Sequence, residues 1–83
     1  MTRDEELRAT VPAPTATQTP SIYGGLCWAY EWRVGRCIGN VVTDTNGDPS
    51  WAISFGDTNV AGKGLDERFW RAMSDAGIER AAP

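Results

Sequence analysis

Apolar and polar positions alternate with a period of two from Leu26 onward. Leu26, Trp28, Tyr30 and Trp32 fall on one side of an extended chain, and Cys27, Ala29, Glu31 and Arg33 on the other. Val34-Gly35 predicts a tight turn, after which "RCIGNVVTD" resumes the alternation with β-branched residues. Asn46-Gly47 is the dipeptide most typical of a two-residue hairpin loop, and it precedes a third extended run, "WAISFGD", residues 51–57. Two hairpin signals in succession predict a three-stranded antiparallel meander.

With two-residue loops the register can be written down. Trp28 then faces Val41, Tyr30 faces Gly39 and Trp32 faces Cys37, while Val42 faces Trp51, Asn40 faces Ile53 and Ile38 faces Phe55. That register puts Leu26, Trp28, Tyr30 and Trp32 on one face. Trp51, Ile53 and Phe55 go to the other, beside Ile38 and Val42, so both faces of the sheet carry apolar side chains. It also places Cys27 and Cys37 on opposite sides, too far apart for a disulfide. A one-residue bulge would exchange the faces downstream of it.

The period changes again after "TNVAGKG", which reads as a link. Leu65, Phe69, Ala72, Met73 and Ala76 follow helical spacing, with Asp66 and Glu67 in the first turn and Gly77-Ile78 as a left-handed stop. The predicted helix spans 65–76, with Trp70 at the edge of its apolar stripe. At the other end, Thr2 and Glu5 form a capping-box pattern, but the helix they would start is too short to stand alone. "TVPAPTATQTP" follows with little apolar periodicity, so residues 1–20 are expected to be a disordered, flexible tail and residues 21–80 the single domain. The expected architecture is α+β: a small three-stranded antiparallel meander, open or curled like an SH3-like barrel, with one C-terminal helix packed on it.

One helix covers one face of such a sheet. Adjacency in the chain favours the Trp51 face for the helix, leaving Trp28, Tyr30 and Trp32 as the less covered surface; the alternative is that the helix packs on these rings or that the sheet curls into a small barrel enclosing them. In a chain of 83 residues, three exposed rings would forfeit much of the available stability, so a partner is expected to sit on them.

Composition narrows what that partner is. The net charge is -3 and the sequence pI about 4.7, with no basic stripe, which removes the electrostatic footprint of general nucleic-acid or anionic-membrane binding. "MTRDEELRAT" lacks the apolar stretch of a secretory signal and no membrane-length apolar run occurs, so a cytoplasmic location is expected.

Catalytic and metal chemistry find few residues to use. The chain has no histidine, and its two cysteines alone cannot build a zinc site. "DTNGD", residues 44–48, resembles the opening of an EF-hand calcium loop, but Pro49 and Phe55 stand where the turn glycine and the bidentate acid belong, and a hairpin turn explains the same letters. Trp32, Gly35, Arg36 and Trp51 echo the layout of WW domains, three-stranded binders of proline-rich peptides. Cys37-Ile38 replaces that family's aromatic pair and no proline follows Trp51, so the likeness stops short of the binding groove.

The expected function is that of a small acidic, non-enzymatic interaction protein without cofactor or metal. It would act as an inhibitor, adaptor or accessory subunit on a larger protein, as do many compact acidic proteins of phages and mobile elements. The candidate contact residues are Trp28, Tyr30, Trp32, Arg33, Arg36 and Trp70, residue types enriched at binding hot spots. Stacking of single-stranded nucleic acid on the strand aromatics is the alternative, opposed by the acidic balance. A homodimer through the aromatic face is the third.

Overall fold

The computed structural model describes residues 2–21, 24–43 and 48–81. Its elements are α1 (Arg3–Arg8), β1 (Thr15–Pro20), β2 (Leu26–Val34), β3 (Cys37–Thr43), β4 (Ser50–Phe55), β5 (Thr58–Lys63) and α2 (Glu67–Asp75). The class is α+β, as expected, but the sheet is an open five-stranded antiparallel meander in the order β1-β2-β3-β4-β5. Among the described residues no helix is long and apolar enough to cross a membrane.

Both additional strands come from segments whose letters conceal them. Thr15, Thr17 and Thr19 are β-formers, and β1 pairs along β2 from Thr15 opposite Glu31 to Pro20 opposite Leu26. An edge strand tolerates proline because one side of its backbone needs no partner. The supposed link after β4 is likewise a strand: Gly56-Asp57 closes a hairpin, with Gly56 at φ +78°, and β5 runs back from Thr58 opposite Phe55 to Lys63 opposite Ser50.

The described part of the expected tail, residues 2–20, therefore holds a helix and an edge strand instead of being disordered. The Thr2 hydroxyl accepts from the Glu5 N–H at 3.2 Å, the N-cap half of the capping box its spacing announces, and donates to the Glu5 carboxylate at 3.2 Å. Leu7, fully buried, anchors α1 against the sheet. The N- and C-terminal segments are stitched together where Val11 and Glu79 exchange backbone hydrogen bonds of 2.8 and 2.9 Å, and by the Arg80–Glu6 ion pair at 2.8 Å.

The register corrects the expected faces. The first turn sits one residue later than expected, with Val34 opposite Cys37 and Gly35 at φ +58°, which leaves Trp28, Tyr30 and Trp32 on the same side as Cys37, Gly39 and Val41. In the second pairing Val41, not Val42, faces Trp51, and Gly39 faces Ile53. That offset of one residue from a two-residue Asn46-Gly47 loop reverses β4. Residues 44–47, the expected turn, lie outside the described residues.

The consequence is a single apolar face. Tyr30, Trp32, Val41, Trp51 and Ile53 all point to it, and Leu7, Phe69, Ala72, Met73, Ala76 and Ile78 close over it. Gathering the large rings of β2 and β4 on one side lets two short helices bury what would otherwise require a cover on each face, and this selects the register. Helix α2 is capped by the Asp66 carboxylate, which accepts from the Phe69 N–H at 3.0 Å. It ends as expected: Gly77 takes φ +89° and the Ile78 N–H reaches back to the Met73 carbonyl at 2.9 Å.

The two sheet edges differ. Hydrogen-bonded pairs alternate along β4–β5, and the Gly64 N–H to the Pro49 carbonyl (2.8 Å) continues the set containing Phe55–Thr58, Ile53–Val60 and Trp51–Gly62. The backbone groups of Asn59, Ala61 and Lys63 therefore point outward. On the opposite edge the Ser21 N–H to Gly25 carbonyl bond (3.0 Å) sets Thr15, Thr17 and Thr19 inward. The outward positions there are Pro14, Ala16, Gln18 and Pro20, and the prolines have no N–H to offer.

Candidate protein-interaction surface

The expected aromatic surface is the core of the molecule. Tyr30 and Trp32 are each 1% exposed and offer no ring face to a partner or to a base. Each polar atom is satisfied from the N-terminal segment: Trp32 Nε1 donates to the Thr10 hydroxyl at 2.8 Å, and the Tyr30 hydroxyl donates to the Asp4 carboxylate. Thr10 in turn donates to the Leu7 carbonyl at 2.9 Å. Burial, reinforced by the hydrogen bond to Asp4 and the charge it carries, pushes the Tyr30 phenol up to about 12 against the partial opposition of Arg8.

The half-buried tryptophans are roofed by arginines. The Arg8 guanidinium lies 4.7 Å from the Trp28 ring centre, and the Arg80 guanidinium lies 4.3 Å from that of Trp70. Both guanidiniums sit within cation–π range of a ring that would otherwise face water. Trp70 also meets Phe69 edge-to-face at 4.8 Å. Trp28 is on the covered face of the sheet and Trp70 on α2, whereas Arg33 lies on the opposite face and Arg36 in the β2–β3 turn. The six expected contact residues do not converge on one patch.

A different surface is left uncovered. Both helices close over one face, and the other presents three long rows of side chains set by the register, beside a short fourth of Thr19 and the buried Cys27. Thr17, Ala29, Val42, Ser50 and Lys63 form one row, and Thr15, Glu31, Asn40, Ala52 and Ala61 the next. Arg33, Ile38, Ser54 and Asn59 form the third. Val42 is 41% exposed at the centre of the sheet, Asn40, Ala52 and Ala61 are exposed around it, and Ile38 and Ala29 are half-buried.

Around Asn40, Val42 and Ala52 this face carries short side chains, and its net charge is small. Its charges are the Glu31–Arg33 pair at 3.1 Å, with Glu31 opposite Asn40, and Lys63 on the edge strand. It has no set of acid, base and nucleophile, and among the described residues no group of three side chains is placed to hold a metal. What such a surface can do is exclude water against a complementary flat surface, with Thr, Ser and Asn supplying hydrogen bonds. The cysteines take no part in its centre: Cys27 is buried at the β1 side with its thiol 3.4 Å from the Thr19 carbonyl, and Cys37 lies on the covered face.

These residues were missed because the expected register sent Ile38 and Val42 under the helix. The signal that could have found them is the β4 alternation itself, in which Trp51, Ile53 and Phe55 interleave with Ser50, Ala52 and Ser54. A strand so strongly divided has one face for the core and one for water. No family model matches this chain, no curated protein is significantly similar to it, and no solved structure matches it.

Proposed function

We propose that this protein is a small non-enzymatic interaction module, acting as an inhibitor, adaptor or accessory subunit, and that it docks on a larger protein through the uncovered face of its sheet. The observation behind this reading is the one-sided cover: five strands bury one face under α1 and α2 and leave Val42, Ile38, Ala29 and Ala52 on the other. Five strands about 4.8 Å apart and six residues long give a flat footprint of roughly 24 by 20 Å. That is about 500 Å2, less than the roughly 800 Å2 each side of a standard interface contributes. The rim must therefore take part, and Arg33 and the exposed Arg36 are the residues beside this face able to reach a partner's carboxylates. In this arrangement Val42 and Ile38 form the dry centre and the two arginines the polar border.

The test compares tagged wild type with Val42→Arg and Trp70→Ala in the native cell, each variant first checked for an unchanged circular-dichroism spectrum. A partner held by wild type and Trp70→Ala but lost by Val42→Arg supports the proposed face. A partner that Val42→Arg retains in full, or that Trp70→Ala loses, places the contact elsewhere and overturns it.

A further inference from the structure

The β5 edge of the sheet is open. Asn59, Ala61 and Lys63 are exposed, their backbone N–H and C=O groups point away from β4, and the strand contains no proline. An edge of this kind is a template for another strand unless something blunts it. Among the described residues, Lys63 on the strand itself and Arg68 are set against it, and Arg68 Nη2 donates to the Ala61 carbonyl at 2.7 Å. A carbonyl oxygen has two lone pairs, so that bond leaves one for an incoming strand.

We infer that β5 joins β5 of a second copy in an antiparallel, two-fold pairing centred on Ala61. In this register Ala61 exchanges both backbone bonds with its own counterpart, and Asn59 exchanges both with Lys63 of the second copy. All the outward groups of the strand are then satisfied. The side chains agree with it. On the uncovered face the Lys63 ammonium comes opposite the Asn59 amide, whose Oδ1 accepts from Ser54 and keeps a second lone pair. No like charges face each other. On the covered face Val60 comes opposite Gly62, large against small. A pairing centred on Val60 or Gly62 would match only two of these three residues, leaving Lys63 or Asn59 without a counterpart in the strand, and would set Val60 against Val60 or Gly62 against Gly62.

The opposite edge explains why association stops at two. Pro14 and Pro20 remove N–H groups from the outward side of β1, so a third copy finds no comparable template there. The local two-fold axis of an antiparallel pair stands perpendicular to the sheet. The dimer therefore carries both uncovered faces on the same side of one continuous sheet, twice the five strands of a single copy.

Sedimentation over a range of concentrations reads this directly. The weight-average mass is expected to climb from the 9.0 kDa of one chain toward twice that value. Ala61→Pro leaves the β4–β5 ladder intact because the Ala61 N–H points outward, and it is expected to weaken association by at least about tenfold. Asn59→Lys sets an ammonium opposite Lys63 and weakens it too, and adding Lys63→Glu to that variant restores it. Val42→Arg, two strands in from this edge, leaves the dimer unchanged, which separates this inference from the proposed docking face. A wild-type protein that stays at single-chain mass at every concentration overturns the inference. So does a dimer indifferent to Ala61→Pro or to the charge changes at positions 59 and 63.

Discussion

Leu7→Ala asks whether the first helix is part of the fold. Leu7 is 0% exposed and belongs to the same buried cluster as Tyr30, Trp32 and Phe69. The substitution deletes three heavy atoms worth roughly 0.8 kcal/mol each in transfer free energy. The cavity left behind adds to this, so the expected loss is about 3 kcal/mol, within the roughly 2 to 5 kcal/mol range of buried leucine truncations. An 83-residue chain at roughly 0.05–0.15 kcal/mol per residue holds about 4 to 12 kcal/mol in all. One side chain in a stretch rich in threonine and proline thus carries between a quarter and most of the stability. Urea unfolding followed by tryptophan fluorescence measures it, with Val11→Ala as the control because Val11 is 66% exposed. A Leu7→Ala loss below about 0.5 kcal/mol, no larger than an ordinary surface substitution, would mean that α1 is undocked in solution and that the tail reading was correct after all.

Two further outcomes follow from the core. At Gly62 an added Cβ would lie 2.7 Å from Cζ2 of Trp51, a ring held by its Nε1 bond to the Gly64 carbonyl at 2.9 Å. Gly62→Ala is therefore expected to cost about 1 to 3 kcal/mol by overpacking in the same urea assay, and an unchanged midpoint would show that the ring moves freely. The Tyr30 phenol ionises near 10.0 when exposed and at about 12 in the folded chain, so the unfolded state releases its proton first as the solution becomes alkaline. Its contribution is fully present below pH 10 and is lost between pH 10 and 12. Tyr30→Phe should remove that part of the alkaline decline, and identical alkaline profiles for wild type and variant would refute the assignment.

What could be read from the letters was whatever a single segment decides for itself. The alternation of Leu26 to Trp32 and of Cys37 to Thr43, the acidic start of α2 and the Gly77-Ile78 stop each follow from local sterics and periodicity and stand in the structure, with Asp66 as the cap rather than a residue of the first turn. What could not be read depends on distant partners. β5, with Val60 as its one bulky apolar side chain, is a strand because β4 lies beside it, and β1 because β2 does. The missed register is the more instructive failure. The Asn46-Gly47 dipeptide argues for one pairing, but moving Trp51 and Ile53 onto the face of Tyr30 and Trp32 is worth several buried side chains, far more than a preferred loop type. That single offset moved the candidate site from one side of the sheet to the other. Arg33 and Arg36 remain at its border, while the aromatic residues become the support behind it.

The parity of β3 and β4 can be measured directly through neighbouring residues that face opposite ways. In methyl-labelled protein exposed to a soluble paramagnetic agent, the Val42 and Ala52 methyl signals are predicted to broaden strongly, while those of Val41 and Ile53 stay protected beneath the helices. Protected Val42 and Ala52 methyls with broadened Val41 and Ile53 signals, or equal broadening in all four, would contradict the one-sided core and remove the surface proposed to meet a partner.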